Sequence, residues 1–396
     1  MKLIRKKLSN GITLLYEPRE LPLVSLSISN KFGAFCETEE IKGIAHFIEH
    51  LLFTGTKTRS HEDISREIEK RGGILNAFTD NNVTSFWFKL PSEHLMTGLD
   101  ILADMLVNPI FKEEKFEKEK KVILEEIKMY HDDPRSHIYE KITENLYEKP
   151  FGTGIIGTKG SVSSLKRNFV MDCFKNNYSP ENYIVTVIGK ADIQKVADYL
   201  EKAFKKENKI PIPLKIKEKN AHSLEERPGL DQAHFLFAMH APKADDKKLR
   251  VLEVLDAYLA SGMSSKLFLT IREEKGLAYT VRSTIDAKKE YSYYSIYVGT
   301  TKEAIPEVKK LILEGFNKIS QMTEKDLQEA KQRLIGLQKV SSEESISVMN
   351  ELLYSEIATK AEDYYTYEKD ISQVTLDDVK ALANIRDYST AAIVPK

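Results

Sequence analysis

The sequence predicts an α+β protein of two duplicated domains, each a mostly antiparallel sheet backed by helices. Three observations lead to this prediction. One order of strands and helices occurs in both halves of the chain. The 396 residues exceed what one hydrophobic core usually supports. A charged stretch with several prolines separates the halves. We therefore expect a domain over 1–208, a linker over 209–228 and a second domain over 229–396.

The first half opens with strand-like patterns. Residues 24–29 alternate between apolar and polar side chains, and a largely apolar helix follows over 43–53. Strand-like alternation returns over 74–90. A helix with apolar residues three and four apart covers 95–106, and a charged helix covers 113–130.

The second half repeats this order. A strand over 234–240 precedes a helix over 248–259, and long strands follow within 279–300. Two helices, over 305–319 and 323–339, complete the repeat. Duplicated domains account for this self-similarity.

The segments that close the two halves, 172–188 and 378–394, also resemble each other. Between the halves, residues 205–229 hold three prolines and mixed charges, which is typical of an exposed linker.

Composition restricts the class of partner. The chain has 59 basic and 60 acidic side chains, so no bulk field favours nucleic acid or an anionic membrane. It contains no apolar run of about 18 residues, the length of a membrane span. The N-terminal residues lack the pattern of a signal peptide. Two cysteines, Cys36 and Cys173, cannot build a disulfide framework. We expect a cytoplasmic protein that binds neither nucleic acid nor membrane.

The motif His46-Phe-Ile-Glu-His50 contains the candidate metal ligands and general base. Positions four apart lie on one face of a helix, so both imidazoles can reach one metal ion. Glu49 shares that face and is placed to accept a proton from water, as a general base does. The alternative is that these side chains decorate a solvent-facing helix. The apolar neighbours argue against it, since a buried polar triplet needs a partner such as a cation.

A catalytic zinc site usually has three protein ligands, so another must come from elsewhere. Glu126 lies in the apolar part of the charged helix, where a carboxylate is costly without a positive partner. We predict Glu126 as the third ligand. Glu119, two turns earlier on the same face, is predicted to orient a ligand. Glu125 points about 100° away and is the main competitor.

These residues resemble the pitrilysin, insulysin and mitochondrial processing peptidase family, whose metal motif is an inverted His-x-x-Glu-His. The segment 43–56 is similar to the family's zinc signature, and Glu119 and Glu126 match its downstream glutamate and third ligand. The resemblance covers nearly the whole chain. It implies a Zn²⁺-dependent endopeptidase acting on short or unfolded polypeptides.

The resemblance extends to substrate-binding residues. The segment 71–79 is similar to the family's edge strand, on which substrate adds as a further strand, and this implies contacts from Asn76 and Ala77. Residues 80–82 depart from the family's usual glutamate-containing pattern. The segment 261–279 resembles a second signature, in which an arginine and a tyrosine seven residues later contact substrate. Arg272 and Tyr279 have that spacing.

The two-domain branch of this family implies a dimer that closes as a clamshell. We therefore expect a homodimer in which Arg272 and Tyr279 of one protomer serve the zinc centre of the other. Two alternatives stay open. The chain could be a non-catalytic scaffold or partner subunit of a heterodimeric processing peptidase, although such members usually lose a ligand. It could also be bifunctional and require a distinct partner chain.

Overall fold

A computed structural model describes residues 3–207, 209–384 and 387–396. The predicted domain limits at residues 1 and 208 lie outside this range. The predicted α+β fold class is confirmed, because the chain forms two compact units with a mostly antiparallel sheet in each. No helix within the described ranges is long and apolar enough to cross a bilayer.

The first sheet has six strands in the order β1-β2-β6-β3-β5-β4. Their bounds are β1 Ile4–Lys7, β2 Thr13–Pro18, β3 Leu23–Asn30, β4 Ile74–Thr79, β5 Thr84–Pro91 and β6 Tyr183–Gly189. Neighbours run antiparallel except β2 and β6, which are parallel. Strand β4 forms an edge of this sheet.

The first half of the chain contributes the following helices within the described residues. Their bounds are α1 Ile44–Leu52, α2 His61–Glu69, α3 Leu95–Val107, α4 Glu113–Asp132, α5 Pro134–Leu146, α6 Lys159–Ser164, α7 Arg167–Asn177 and α8 Ile193–Ala203. Phe47, Ile48 and Leu51 of α1 are fully buried in the core of the first unit. Hydrophobic burial therefore fixes α1 against the sheet.

The second sheet has five strands in the order β7-β11-β8-β10-β9. Their bounds are β7 His222–Arg227, β8 Ala233–His240, β9 Thr280–Ala287, β10 Ser292–Thr300 and β11 Ser389–Pro395. Only β7 and β11 are parallel among its neighbouring pairs. This order matches β2-β6-β3-β5-β4 of the first sheet strand for strand, as duplicated domains require.

The remaining helices come from the second half of the chain. Their bounds are α9 Lys248–Leu259, α10 Ile305–Lys318, α11 Glu324–Ser341, α12 Ser345–Ala358, α13 Tyr367–Gln373 and α14 Leu376–Leu382, with a π-helical segment over Phe268–Glu274. Short 3-10 turns connect several elements, at Ala34–Cys36, Glu39–Ile41, Ser92–His94, Pro180–Asn182, Ile319–Gln321 and Ala361–Thr366.

The two halves exchange a helix. The first unit comprises the chain as far as Met129 together with Thr153–Lys215 and Ser342–Glu362, so it includes α12. Helix α12 packs on β3 and β6, and Ser25 shares a 2.8 Å hydrogen bond with Ser345. Conversely, α5 belongs to the second unit and packs on β8 and β11.

This division differs from the limits that the sequence suggests. Chain order alone assigns α5 to the first domain and α12 to the second, because an apolar helical stripe does not reveal which sheet it will cover. The predicted linker over 209–228 also contains β7, which pairs in parallel with β11. Leu224 is the one aliphatic side chain of β7 and is 66% exposed, so no apolar–polar alternation marks this strand within the charged segment.

We predict that the burial of α12 is important for the stability of the chain. Leu352 is fully buried, whereas Leu337 on α11 is 52% exposed. Leu352→Ala should lower the free energy of unfolding by about 2–5 kcal/mol because it leaves a cavity. Leu337→Ala should change it by no more than about 0.5 kcal/mol. Urea unfolding of both variants measures the difference, and equal effects would contradict the assigned packing.

Candidate metal centre

Helix α1 begins at a position that only glycine suits. Gly43 has φ of 94°, in the left-handed region, and an added Cβ would lie 2.5 Å from the carbonyl oxygen of Ile156. The buried Glu37 carboxylate then accepts hydrogen bonds from the backbone N–H of Gly43 at 3.1 Å and of Ala45 at 2.8 Å. A negative charge is favourable at a helix N-terminus, so Glu37 fixes where α1 starts.

The charge of Glu37 is balanced by Lys42. Its Nζ lies 3.4 Å from the Glu37 carboxylate and donates to the carbonyl oxygen of Ala34 at 3.2 Å. Burial lowers the pKa of Lys42, and the neighbouring Glu37 opposes that effect. This ion pair is enclosed in the protein, so loss of either partner would leave an uncompensated buried charge.

Three predicted ligands converge on one point. His46 and His50 lie one turn apart on α1, with ring centroids 4.6 Å apart. The Glu126 carboxylate of α4 lies 3.8 Å from His46 Nε2 and 3.6 Å from His50 Nε2. One donor atom from each side chain lies within 4.8 Å of the others. The structure thus brings Glu126 to two histidines that precede it by 76 and 80 positions in the sequence.

The other carboxylates of α4 occupy distinct places. Glu119 Oε2 lies 3.3 Å from His50 Nδ1, where it can fix the orientation of that ring. Glu125, the competing candidate, instead accepts a hydrogen bond from Lys128 at 2.6 Å, and its side chain is 70% exposed. The geometry favours Glu126 over Glu125 as the ligand.

The two imidazoles differ in their electrostatic environment. Burial, with a further contribution from His50, lowers the pKa of His46 to about 3, so its ring is neutral and keeps a lone pair. Burial also acts to lower the pKa of His50, but the carboxylates of Glu119, Glu126 and Glu49 outweigh it and the pKa is raised. Burial raises the pKa of Glu126, and His50 opposes this. A cation would relieve the crowding of these groups.

The predicted general base contacts the edge strand. The hydroxyl of Thr79, at the end of β4, donates to Glu49 Oε2 at 2.5 Å. Burial raises the pKa of Glu49, and this hydrogen bond opposes the increase. One carboxylate oxygen of Glu49 is therefore held by the strand.

The residues at this point suit a zinc ion. Two imidazoles and one carboxylate form a ligand set that catalytic zinc sites use. His46 Nδ1 is buried and has no hydrogen-bond partner among the described residues, and the His50 ring is oriented by a carboxylate. Metal-binding histidines usually have a carboxylate or carbonyl at the outer ring nitrogen, as His50 has in Glu119.

The predicted substrate-binding residues occupy two places. Asn76 and Ala77 lie on β4, where Asn76 Oδ1 accepts from the Ala77 N–H at 2.8 Å. Arg272 lies in the π-helical segment of the second unit, and its guanidinium stands 5.1 Å from the centre of the Tyr279 ring. Tyr279 is 75% exposed. The substrate roles of all four remain predictions.

Sequence reasoning missed Glu37 and Thr79. Glu37 precedes α1 by several residues, outside the usual capping positions, so no capping pattern reveals it. Thr79 ends a strand that the sequence identifies, but nothing in that strand indicates which hydroxyl faces Glu49. In both cases the partner is set by tertiary contacts.

Comparisons with known proteins agree on one family. Residues 16–159 match the model described as insulinase (peptidase family M16), and residues 164–334 match the model described as peptidase M16 inactive domain. The "Uncharacterized zinc protease YmxG" of Bacillus subtilis is 30% identical over 98% of this chain and 97% of its own length. An "Uncharacterized zinc protease" of Rickettsia felis is 32% identical over 81% of this chain and 78% of its own length.

Solved structures share the fold. The crystal structure of a protease from Helicobacter pylori superimposes with a TM-score of 0.92 over 100% of this chain and 99% of that one, at 22% identity. A peptidase M16 inactive domain from Pseudomonas fluorescens gives a TM-score of 0.91 at 18% identity, over 100% of this chain and 98% of that one. At this identity the likeness concerns the fold alone.

We predict that Glu126→Gln weakens zinc binding while Glu125→Gln does not. The amide lacks the charge that balances the ion, so zinc affinity should fall by more than about 100-fold, the upper range for loss of an outer-shell partner. Competition with a chromophoric chelator measures it. Similar losses in both variants would contradict the choice of Glu126.

Proposed function

This chain belongs to the M16 (insulinase) peptidase family, and from that membership we propose that it is a zinc endopeptidase acting on short or unfolded polypeptides. The observation that carries the proposal is the convergence of His46, His50 and Glu126 beside the carboxylate of Glu49. The inverted His-x-x-Glu-His spacing would supply two of the three ligands and the base from one helix. Two similar proteins are named zinc proteases, which supports zinc as the ion.

In this proposal His46, His50 and Glu126 hold the ion, and Glu119 keeps the His50 ring in place. When bound, zinc acts as a Lewis acid toward the scissile carbonyl and makes water more acidic. Glu49 takes the proton from the attacking water and passes it to the leaving amine. The Thr79 hydroxyl holds the Glu49 carboxylate in the orientation needed for that proton transfer.

Substrate is proposed to pair with β4. The strand lies at the edge of its sheet, so its outer backbone groups can bond an extended peptide. Asn76 and Ala77 would then flank the peptide close to Glu49, because the same strand ends at Thr79. Backbone pairing needs an extended segment, which restricts substrates to short or unfolded chains.

We further propose a homodimer. Arg272 and Tyr279 of one protomer would contact substrate bound at the partner's zinc centre, and the Tyr279 hydroxyl would stabilise the developing oxyanion. The exposure of Tyr279 leaves it available for such a contact.

The alternative is a non-catalytic scaffold or partner subunit. The match of residues 164–334 to the M16 inactive domain keeps this alternative open. The complete ligand set and base in the first unit favour the enzyme, because a scaffold has no need of a buried cluster of charged groups.

We predict that Glu49→Gln retains zinc but loses hydrolysis of a quenched peptide by about 10²- to 10⁴-fold, the usual contribution of a general base. Glu117→Gln, which removes an exposed carboxylate of α4, is the control and should keep activity. Metal analysis and peptide cleavage are measured on the same preparations. Equal turnover in Glu49→Gln and wild type would reject the assigned base.

Thr79 gives a second prediction. Thr79→Val removes the hydroxyl that bonds Glu49, so kcat should fall on the order of 10- to 100-fold while KM and zinc content stay unchanged. Thr79→Ser should recover most of the activity, since it restores the hydroxyl. A change in KM alone, or failure of the serine variant to recover, would show that Thr79 does not act through Glu49.

The dimer proposal predicts complementation. Protomers with Glu49→Gln should be mixed and re-equilibrated with protomers that carry both Arg272→Ala and Tyr279→Phe. Each of the two preparations should be inactive alone. Each mixed dimer would contain one intact combination, so activity should return to about a quarter of wild type at random pairing. The native mass should be about twice 45.3 kDa. A monomeric mass, or no recovery in mixed dimers, would contradict action across the interface.

A further inference from the structure

A second group of metal-binding side chains lies in the second unit. It consists of His131 at the end of α4, His137 in the first turn of α5 and Glu225 on β7. One donor atom from each lies within 4.8 Å of the others. The group contains the same types of donor as the candidate metal centre, two imidazoles and a carboxylate.

The connection between α4 and α5 is well defined. Asp133 caps α5 by accepting from the backbone N–H of Arg135 at 3.2 Å and of Ser136 at 3.1 Å, and Pro134 occupies the first helical position. The rings of His131 and His137 consequently lie with their centroids 4.6 Å apart. The local fold therefore brings together two histidines that flank a helix start.

His137 lies between two carboxylates. The ring is buried, and its Nδ1 lies 3.1 Å from the Glu140 carboxylate while its Nε2 lies 3.3 Å from Glu225 Oε2. If Nδ1 donates to Glu140, the Nε2 of a neutral ring has only a lone pair. That lone pair would face the lone pairs of Glu225. A metal ion between them would bind both lone pairs.

Glu225 is oriented toward His137 by a neighbouring arginine. Glu225 is held in place by Arg227, which donates to Oε1 at 3.1 and 2.7 Å and leaves Oε2 directed at His137. An ion would bind Glu225 Oε2 together with His137 and the His131 ring, whose Nδ1 lies 3.5 Å from Asp132 Oδ1.

We propose that His131, His137 and Glu225 form a second zinc site, with Glu140 orienting His137. A carboxylate that accepts from the far nitrogen of a metal-binding histidine is the usual outer-shell arrangement. His131 is exposed, its side chain being 59% accessible, so the site opens to solvent and an ion can enter. The ion would tie the connection between α4 and α5 to β7 and would keep one coordination position open to solvent.

The test removes the first centre and counts the zinc that remains. The chain with His46→Ala and His50→Ala, stripped by chelator and titrated with Zn²⁺ alone, should bind about one equivalent through the three remaining ligands. Adding His137→Ala should abolish that uptake, whereas adding His222→Ala, a histidine of the same strand as Glu225, should not. Glu140→Gln should weaken it by about 10- to 100-fold.

Two further measurements distinguish loss of the zinc site from unfolding of the chain. His131→Ala alters an exposed side chain and should also abolish tight binding without unfolding the chain, as circular dichroism would verify. Zn²⁺ should raise the melting temperature of the His46→Ala and His50→Ala chain, but not after His137→Ala. If that double variant takes up no zinc, or if His137→Ala and His131→Ala leave uptake unchanged, the cluster is an ion pair and the proposal is wrong.

Discussion

The site depends on one constraint: helix α1 must be buried on its apolar side and still present three polar side chains. Ile44, Phe47, Ile48 and Leu51 are fully buried, which fixes the rotation of the helix. His46, Glu49 and His50 then have to share the remaining face. The start of the helix is fixed by Glu37, whose carboxylate accepts from two backbone N–H groups and is balanced by a buried lysine. Because capping and packing together allow one rotation and one register, the imidazoles meet α4 in a single arrangement.

The exchange of α5 and α12 means that neither half of the chain is a complete unit by itself. Each sheet buries one face against a helix from the other half of the chain, so neither half contains its complete core. A sheet face left uncovered would expose apolar surface. Duplication alone does not require this arrangement, since a helix from the same half could cover the face. Each half of the chain therefore supplies a helix to the unit that is built mainly from the other half.

Sequence patterns predict where helices and strands lie better than they predict which of them pack together. The helix over 248–259 and the strand over 234–240 agree with α9 and β8 almost residue for residue, because period and end signals are local. The two histidines proposed as metal ligands were within reach of sequence reasoning because one helix turn imposes their spacing. The exchanged helices, β7 within the charged segment, Glu37 and Thr79 were not, because their roles depend on contacts between residues distant in the chain.

The arrangement separates metal binding from the orientation of the base. The proposed ligands come from α1 and α4, while Glu49 is held by a hydroxyl of β4. Strand β4 is also the edge on which a peptide would pair. A peptide that shifts β4 would therefore change the orientation of Glu49 directly, but would change the positions of the proposed ligands only through α1. A well-paired substrate would therefore improve the alignment of the base without altering metal affinity. A poorly paired one would bind yet turn over slowly, so this strand can discriminate between substrates in the chemical step as well as in binding.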